Sequence, residues 1–367
     1  MKASTITAHS RKSSGLGPKS FVSILRKLAC RSMIVFYFEN YTRSSCVGHA
    51  VNLIVSCTNR KRYDAAPGLR AQELDGNDIE KRLLNWKKRL RGARSDEHPA
   101  ADVYMGDNWS IARNIPLGAL KKGWAVRLWI CSAGYGLIRA DMPIKSYQAT
   151  FAPVAADFVG HGLNAPNVTG RWWAGVCSYV FPDMDDSPRS LASLASAFPR
   201  TPIIVALSAD YLKAIEADLL QVLQTDFFRR HLGIISCGTP DTHRHWKDNL
   251  LPCDARQSGA LGGSLTSLNT RIARYLLSAE ASRTPTVTDM ASVVKSIEMR
   301  ESEIPVRIPQ TDKEVLRFLR DRLAKSPSAS KTKLLKEFRA SGRACEQKRF
   351  GDLCEQLREE FQQVLYA

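Results

Sequence analysis

A few short polar segments of this 367-residue chain group side chains whose types and spacing could do chemistry. The first is Ser56-Cys57-Thr58-Asn59-Arg60-Lys61-Arg62. The second is Cys131-Ser132-Ala133-Gly134-Tyr135-Gly136-Leu137, followed at every third position by Asp141, Ile144, Tyr147 and Thr150. Between these two, segment 101–109 contributes Asp102 and Tyr104. The last, 236–246, holds Cys237, His243 and His245. An amide or carboxylate can position water, and a tyrosine ring can stack on a planar group. An imidazole can donate a proton, and Arg or Lys can grip phosphate.

These segments follow apolar runs of strand type. Such runs occupy 50–55, 124–130, 202–207 and 232–236, with a weaker one at 175–181. Helical patterns at 79–94, 209–223 and 263–277 separate them. Short continuous apolar runs between helices are the mark of strands buried on both faces, which predicts a layered α/β domain over 46–282. In such sheets ligands bind beyond the carboxyl ends of the strands, where the polar segments lie.

Residues 283–311 show little periodicity and read as a linker. From 312 to 367 the pattern is purely helical. Val315, Leu316, Phe318, Leu319 and Leu323 make one apolar face, Leu334, Leu335 and Phe338 the next, and Phe350, Leu353, Cys354, Leu357 and Phe361 the last. Two helices joined by a short turn at Ser341-Gly342 predict a helix-turn-helix. Lys331 and Lys333 would sit on its first helix. Arg343, Gln347, Lys348 and Arg349 would open its second, where major-groove contacts are made. The alternative is a solvated helical hairpin.

The chain carries 53 Lys and Arg against 36 Asp and Glu, a formal charge of +17, which makes nucleic acid the expected partner. A composition of 44% apolar and 24% charged residues excludes a disordered or fibrous chain. No run reaches the roughly 20 apolar residues of a membrane span. Nine cysteines without a CxxC pair read as free thiols of a reducing cytoplasm. Residues 1–45 are basic and nearly free of acid, as in a flexible arm.

Together the motifs Cys57 with its basic followers, Ala101-Asp102-x-Tyr104-x-Gly106, Ser132-Ala133-x-Tyr135-Gly136-Leu137 and Asp141-x-x-Ile144-x-x-Tyr147-x-x-Thr150 carry a resemblance over 51–150. The segment resembles a bacterial domain family of unassigned function. That family is similar to peroxide-stress DNA-binding proteins and to domains of archaeosine-type tRNA-modifying enzymes, and in turn to the uracil-DNA-glycosylase fold. The chain departs from it at Gly134, where a larger residue is common, and at Asn59-Arg60-Lys61-Arg62, where a simpler Lys turn is common.

The resemblance implies a layered α/β/α domain that excises a modified base from DNA, with phage defence or repair as the setting. A hypermodified phage base such as a glycosylated cytosine is one such target. Breaking an N-glycosidic bond needs a residue that places water, a surface for the extruded base and donors for the leaving group. Asn59 and Asp102 are the candidates for water, and His245 for the leaving base. Cys57, Tyr104, Ser132, Tyr135, Tyr147 and His243 are the candidates for holding the base, and Arg60, Lys61 and Arg62 for phosphates. Each also has a structural alternative: a cap for Asn59, an ion pair for Asp102, core packing for Tyr135 and a solvated face for the basic run.

No cofactor is called for. Cys237, His243, His245 and Cys253 have no known zinc spacing, and Asp183, Asp185 and Asp186 lack the partner pattern of a metal nuclease. Trp172-Trp173 is a buried pair or a stacking surface, and Gly262-Gly263 is a turn or the start of a phosphate-binding helix. The rival readings are a non-catalytic DNA-binding protein and a base-transfer enzyme acting on RNA.

Overall fold

A computed structural model describes residues 48–76, 78–179, 187–237, 244–300 and 307–366. The basic arm 1–45, Cys30, Cys46, the three loop aspartates and His243 lie outside the described residues, as does the side chain of His245. The chain forms two units, 1–300 and 301–367.

The first unit is mixed α/β around a mostly parallel five-stranded sheet. Its strands are β1 (His49–Ser56), β3 (Trp124–Ser132), β4 (Gly136–Arg139), β6 (Ile203–Ala206) and β7 (Leu232–Ile235), in the order β4-β3-β1-β6-β7. A small antiparallel pair, β2 (Glu97–Pro99) and β5 (Pro143–Lys145), stands apart from it. Val51, Leu53, Ile54 and Val55 of β1 are all buried, which accounts for the unbroken apolar run. The chain leaves β1 for β3 on one side and later returns to β6 on the other. The strand order therefore switches direction at the carboxyl end of β1, the place where open α/β sheets form their crevices.

Four of the five expected strands form. The described part of the run 175–181, which stops at 179, does not. Val168–Cys177 is a helix, because Trp172, Trp173 and Val176 recur at helical spacing and are all buried. The tandem tryptophans are thus core residues. The indole of Trp172 donates to the Ala133 carbonyl at 2.7 Å, and that of Trp173 to Asp218 at 2.9 Å. The segment 283–311 is not all linker either. Thr286 and Asp289 cap a helix, Val287–Lys295, that buries Met290 and Val294 in the first unit.

Thiol chemistry also differs from expectation. Cys237, at the end of β7, is bonded to Cys253, their Cα atoms 5.2 Å apart, while Cys57, Cys131, Cys177, Cys345 and Cys354 are free. The pair is therefore not available as metal ligands, and no cluster fit to hold a metal occurs among the described residues. None of the described helices is long and apolar enough to cross a membrane.

The second unit packs three helices, Asp312–Lys325, Lys331–Ala340 and Gln347–Tyr366, around Val315, Phe318, Leu319, Leu334, Phe338 and Phe350. Gly342 takes φ +76°, which lets the chain turn sharply after the middle helix. Arg343 and Ala344 then run as a short strand beside Ile308 and Pro309 before the last helix begins.

Candidate functional site

The loop after β1 is laced to its neighbours by backbone bonds. The Cys57 amide donates to the Cys131 carbonyl at 3.0 Å. Arg62 donates to Val103 at 2.8 Å, Met105 to Arg60 at 2.9 Å, and Lys61 bridges Tyr104 in antiparallel fashion. The first two polar segments and the intervening 101–109 therefore meet at one sheet edge. Lys61 is turned inward by this lacing, while Asn59, Arg60 and Arg62 stay exposed.

Beneath Lys61 lies a nest of buried hydroxyls. The Tyr147 hydroxyl is 2.7 Å from Ser132 Oγ and 3.0 Å from the Tyr104 hydroxyl. Ser132 Oγ also accepts from the amides of Gly134 and Tyr135. The Tyr104 hydroxyl donates to the same oxygen at 3.4 Å, so Ser132 gathers two amides and two phenols. Burial pushes the Tyr104 and Tyr147 phenols far above their ordinary range, so both stay protonated.

Lys61 Nζ sits 4.3 Å from the Tyr147 ring centre and 5.7 Å from that of Tyr104, and donates to the Thr58 carbonyl at 3.0 Å. Burial lowers its pKa to about 8, against a smaller opposing pull from Cys57 and Asp157. A second polar chain adjoins. The Cys57 thiol lies 3.1 Å from the Tyr211 hydroxyl, which is 3.4 Å from Thr150 Oγ1. That pair spans from the end of β1 to the helix Ala209–Ala214 that follows β6, across the switch point.

The glycine at 134 acquires a physical reason here. A Cβ on Gly134 would lie 2.5 Å from the Tyr147 ring, so glycine is what allows that ring to rest on the turn. The carbonyl of the same residue accepts from the Trp86 indole at 2.8 Å. The turn is thus clamped by Trp86 and Trp172.

The expected base-stacking residues turn out otherwise. Tyr104, Tyr135 and Tyr147 are core side chains at 3% exposure or less, so none offers a free ring face. Tyr135 bonds through its hydroxyl to the backbone of Lys145. Lys61 is a half-buried amine over aromatic rings and not a phosphate grip on an open surface. Asp102 is half-buried on the short helix Ala100–Val103 and makes no ion pair with the basic helix Ile79–Gly92.

Sequence reasoning missed Tyr211, which looked like one more apolar position of a helix. It also missed the stack of Tyr63 on His98, two residues beyond Lys61, with ring centres 3.8 Å apart and both rings half-buried. Clefts of about 300 Å³ (Trp124, Leu276, Met290) and about 480 Å³ (Trp173, Ser190, Asp218) are lined by no residue of the Cys57–Lys61 loop. The segment after β7 leaves from the same sheet edge. Its described part is held by Asn269, which accepts from the Cys237 amide and donates to the Leu207 carbonyl.

In the second unit, Arg343 is not poised for bases. Its guanidinium lies 4.9 Å from the ring centres of both Phe318 and Phe338 and bonds to Ser341. Arg349 is likewise committed, to Asp312 at 2.6 Å and the Gln310 carbonyl at 2.9 Å. Lys331 pairs with Glu355, while Lys333, Gln347 and Lys348 are exposed. A groove of about 670 Å³ is lined by Arg307, Lys331, Lys336, Arg339 and Gln347 over a floor of Leu335 and Phe350. Lys336 and Arg339, on the same helix as Lys331 and Lys333, were not among the expected contacts.

Comparison of the chain with family models, curated proteins and solved structures returns no match, so no relative bears on the chemistry of either region.

Proposed function

We propose that the protein is a DNA glycosylase-type hydrolase whose first unit removes a modified base, with the second unit, read as a helix-turn-helix, helping to hold the duplex. The carrying observation is the Lys61 amine, kept over Tyr147 at the sheet's switch point although burial there disfavours its charge. A purely structural strand end has no need of such a group, and amines of lowered pKa cluster at functional sites. Asn59 and Asp102 remain the candidates for placing water. The hydroxyl nest acts as a rigid floor, and the Tyr63–His98 stack becomes the candidate surface for a base or its neighbour.

The reading is tested with duplexes bearing single modified bases, glycosylated cytosine among them. Wild-type protein should render such a strand alkali-labile, and Asp102→Asn should lower that activity at least tenfold without weakening binding. Intact strands with every modified or damaged duplex would refute it. The basic groove of the second unit favours one rival, a DNA-binding protein without catalysis, which would bind these duplexes with a steep salt dependence and leave them intact.

A further inference from the structure

We infer that Lys61 is the nucleophile of the site: its amine attacks the sugar C1′ of the damaged or modified nucleotide, forms a covalent Schiff base, and gives the protein strand-cleaving lyase activity at abasic sites. This deepens the base-excision reading and rests on it for the identity of the substrate class.

The geometry supplies what an amine nucleophile requires. Lys61 is half-buried as a residue, and its Nζ is positioned by one backbone acceptor, the Thr58 carbonyl, and lies over the ring of Tyr147. No carboxylate forms an ion pair with it among the described residues, so nothing locks it as a permanent cation. The flanking Asn59, Arg60 and Arg62 are exposed beside it, as a phosphodiester backbone would require. An amine that loses its proton near pH 8 is present in useful amount as the free base at neutral pH, which is how lysines become nucleophiles.

The chemistry balances with water as the only co-reactant. The Nζ lone pair forms a bond to C1′ as the C1′–N bond to the base breaks. The base departs with that electron pair and takes the proton Nζ sheds. The nitrogen lone pair then expels O4′, which takes a proton from solvent, leaving a protonated imine between Nζ and C1′. Loss of the C2′ proton to solvent next drives the C3′–O bond to break, and the 3′ phosphate leaves with its electron pair. Water adds to C1′ and releases the lysine and an unsaturated aldehyde. Starting from a pre-formed abasic sugar, the amine condenses with the aldehyde, water is lost, and the later steps are the same.

The probe is a duplex with one abasic site, generated from deoxyuridine, mixed with full-length protein and sodium borohydride. Hydride reduces the imine to a stable secondary amine. The expected result is a protein–DNA adduct whose modified peptide maps to Lys61 in the wild type. Its yield should rise with pH through about 8 and fall at least tenfold in a Lys61→Met variant that melts cooperatively. Mapping on the wild type keeps the test decisive even if the variant fails to fold. No adduct, or adducts scattered over surface lysines, overturns the inference. Base release without trapping also overturns it while leaving base excision standing. Trapping at Lys61 without base release from any modified duplex upholds the lysine chemistry and sinks base excision.

Discussion

At the scale of single residues, Lys61 is held at a thermodynamic disadvantage. Burial takes its pKa from 10.5 to about 8, so the folded state binds fewer protons than the unfolded chain between those values. Stability from this group therefore rises as pH climbs from about 8 towards 10.5, and its full penalty applies below 8. Replacing it with methionine keeps the packing stem and removes the charge. Lys61→Met should stabilise the protein at pH 7 by about 1–3 kcal/mol and flatten the alkaline part of the stability profile, read by urea unfolding at several pH values. An unchanged or lowered midpoint at pH 7 would mean that the amine is better solvated than its surroundings imply. Gly134 gives the opposite case. Gly134→Ala forces a methyl into the Tyr147 ring and should cost about 1–3 kcal/mol, with loss of the hydroxyl nest seen as a shift in tyrosine near-ultraviolet circular dichroism.

The same residues show what a sequence can and cannot disclose. Cys57, Tyr104, Ser132, Tyr147 and Lys61 were visible as a set because reactive types stood after apolar runs. Their roles were not, because one polar side chain at a strand end looks alike whether it faces inward or outward. Only the antiparallel bridge between Lys61 and Tyr104, which joins segments about 40 residues apart, turns the lysine inward.

Among elements, continuous burial made β1, β3, β6 and β7 legible, whereas β4 was hidden in the short turn of its own hairpin. The run 175–181 misled because apolar residues near a helix end imitate a strand. The indoles of Trp86 and Trp172, which clamp the 133–134 turn, were unforeseeable, since each donor lies about 40 or more residues from its acceptor. Trp86→Phe leaves the Gly134 carbonyl buried without its donor and should lower stability by about 1–3 kcal/mol in denaturant titration. In the second unit, Arg343 was expected at the DNA and found between two phenylalanines. Arg343→Ala should therefore lower the unit's melting temperature, while Lys336→Ala and Lys348→Ala, at exposed positions, should leave it within a degree or two. Equal melting temperatures for Arg343→Ala and wild type would mean that the cation contributes nothing to that core.

For the molecule as a whole, the proposed reading makes the charge of +17 the source of duplex affinity, and its effect is best read through salt. Removing one phosphate-binding cation should reduce the slope of log affinity against log salt by about 1. A Lys333, Lys336 and Lys348 triple alanine variant should therefore bind any duplex, modified or not, with a slope shallower by about 2–3. An unchanged slope would place the duplex elsewhere on the chain.

The central claim is that the Lys61 site of the first unit breaks a glycosidic bond. Chromatographic counting of free base against abasic sites, on duplexes carrying glycosylated cytosine, tests it most directly. The account predicts one base released per abasic site with wild-type protein, and at least a tenfold slower release with Lys61→Met at equal duplex occupancy. Release at the wild-type rate by that variant, or full occupancy with no base set free, would contradict it.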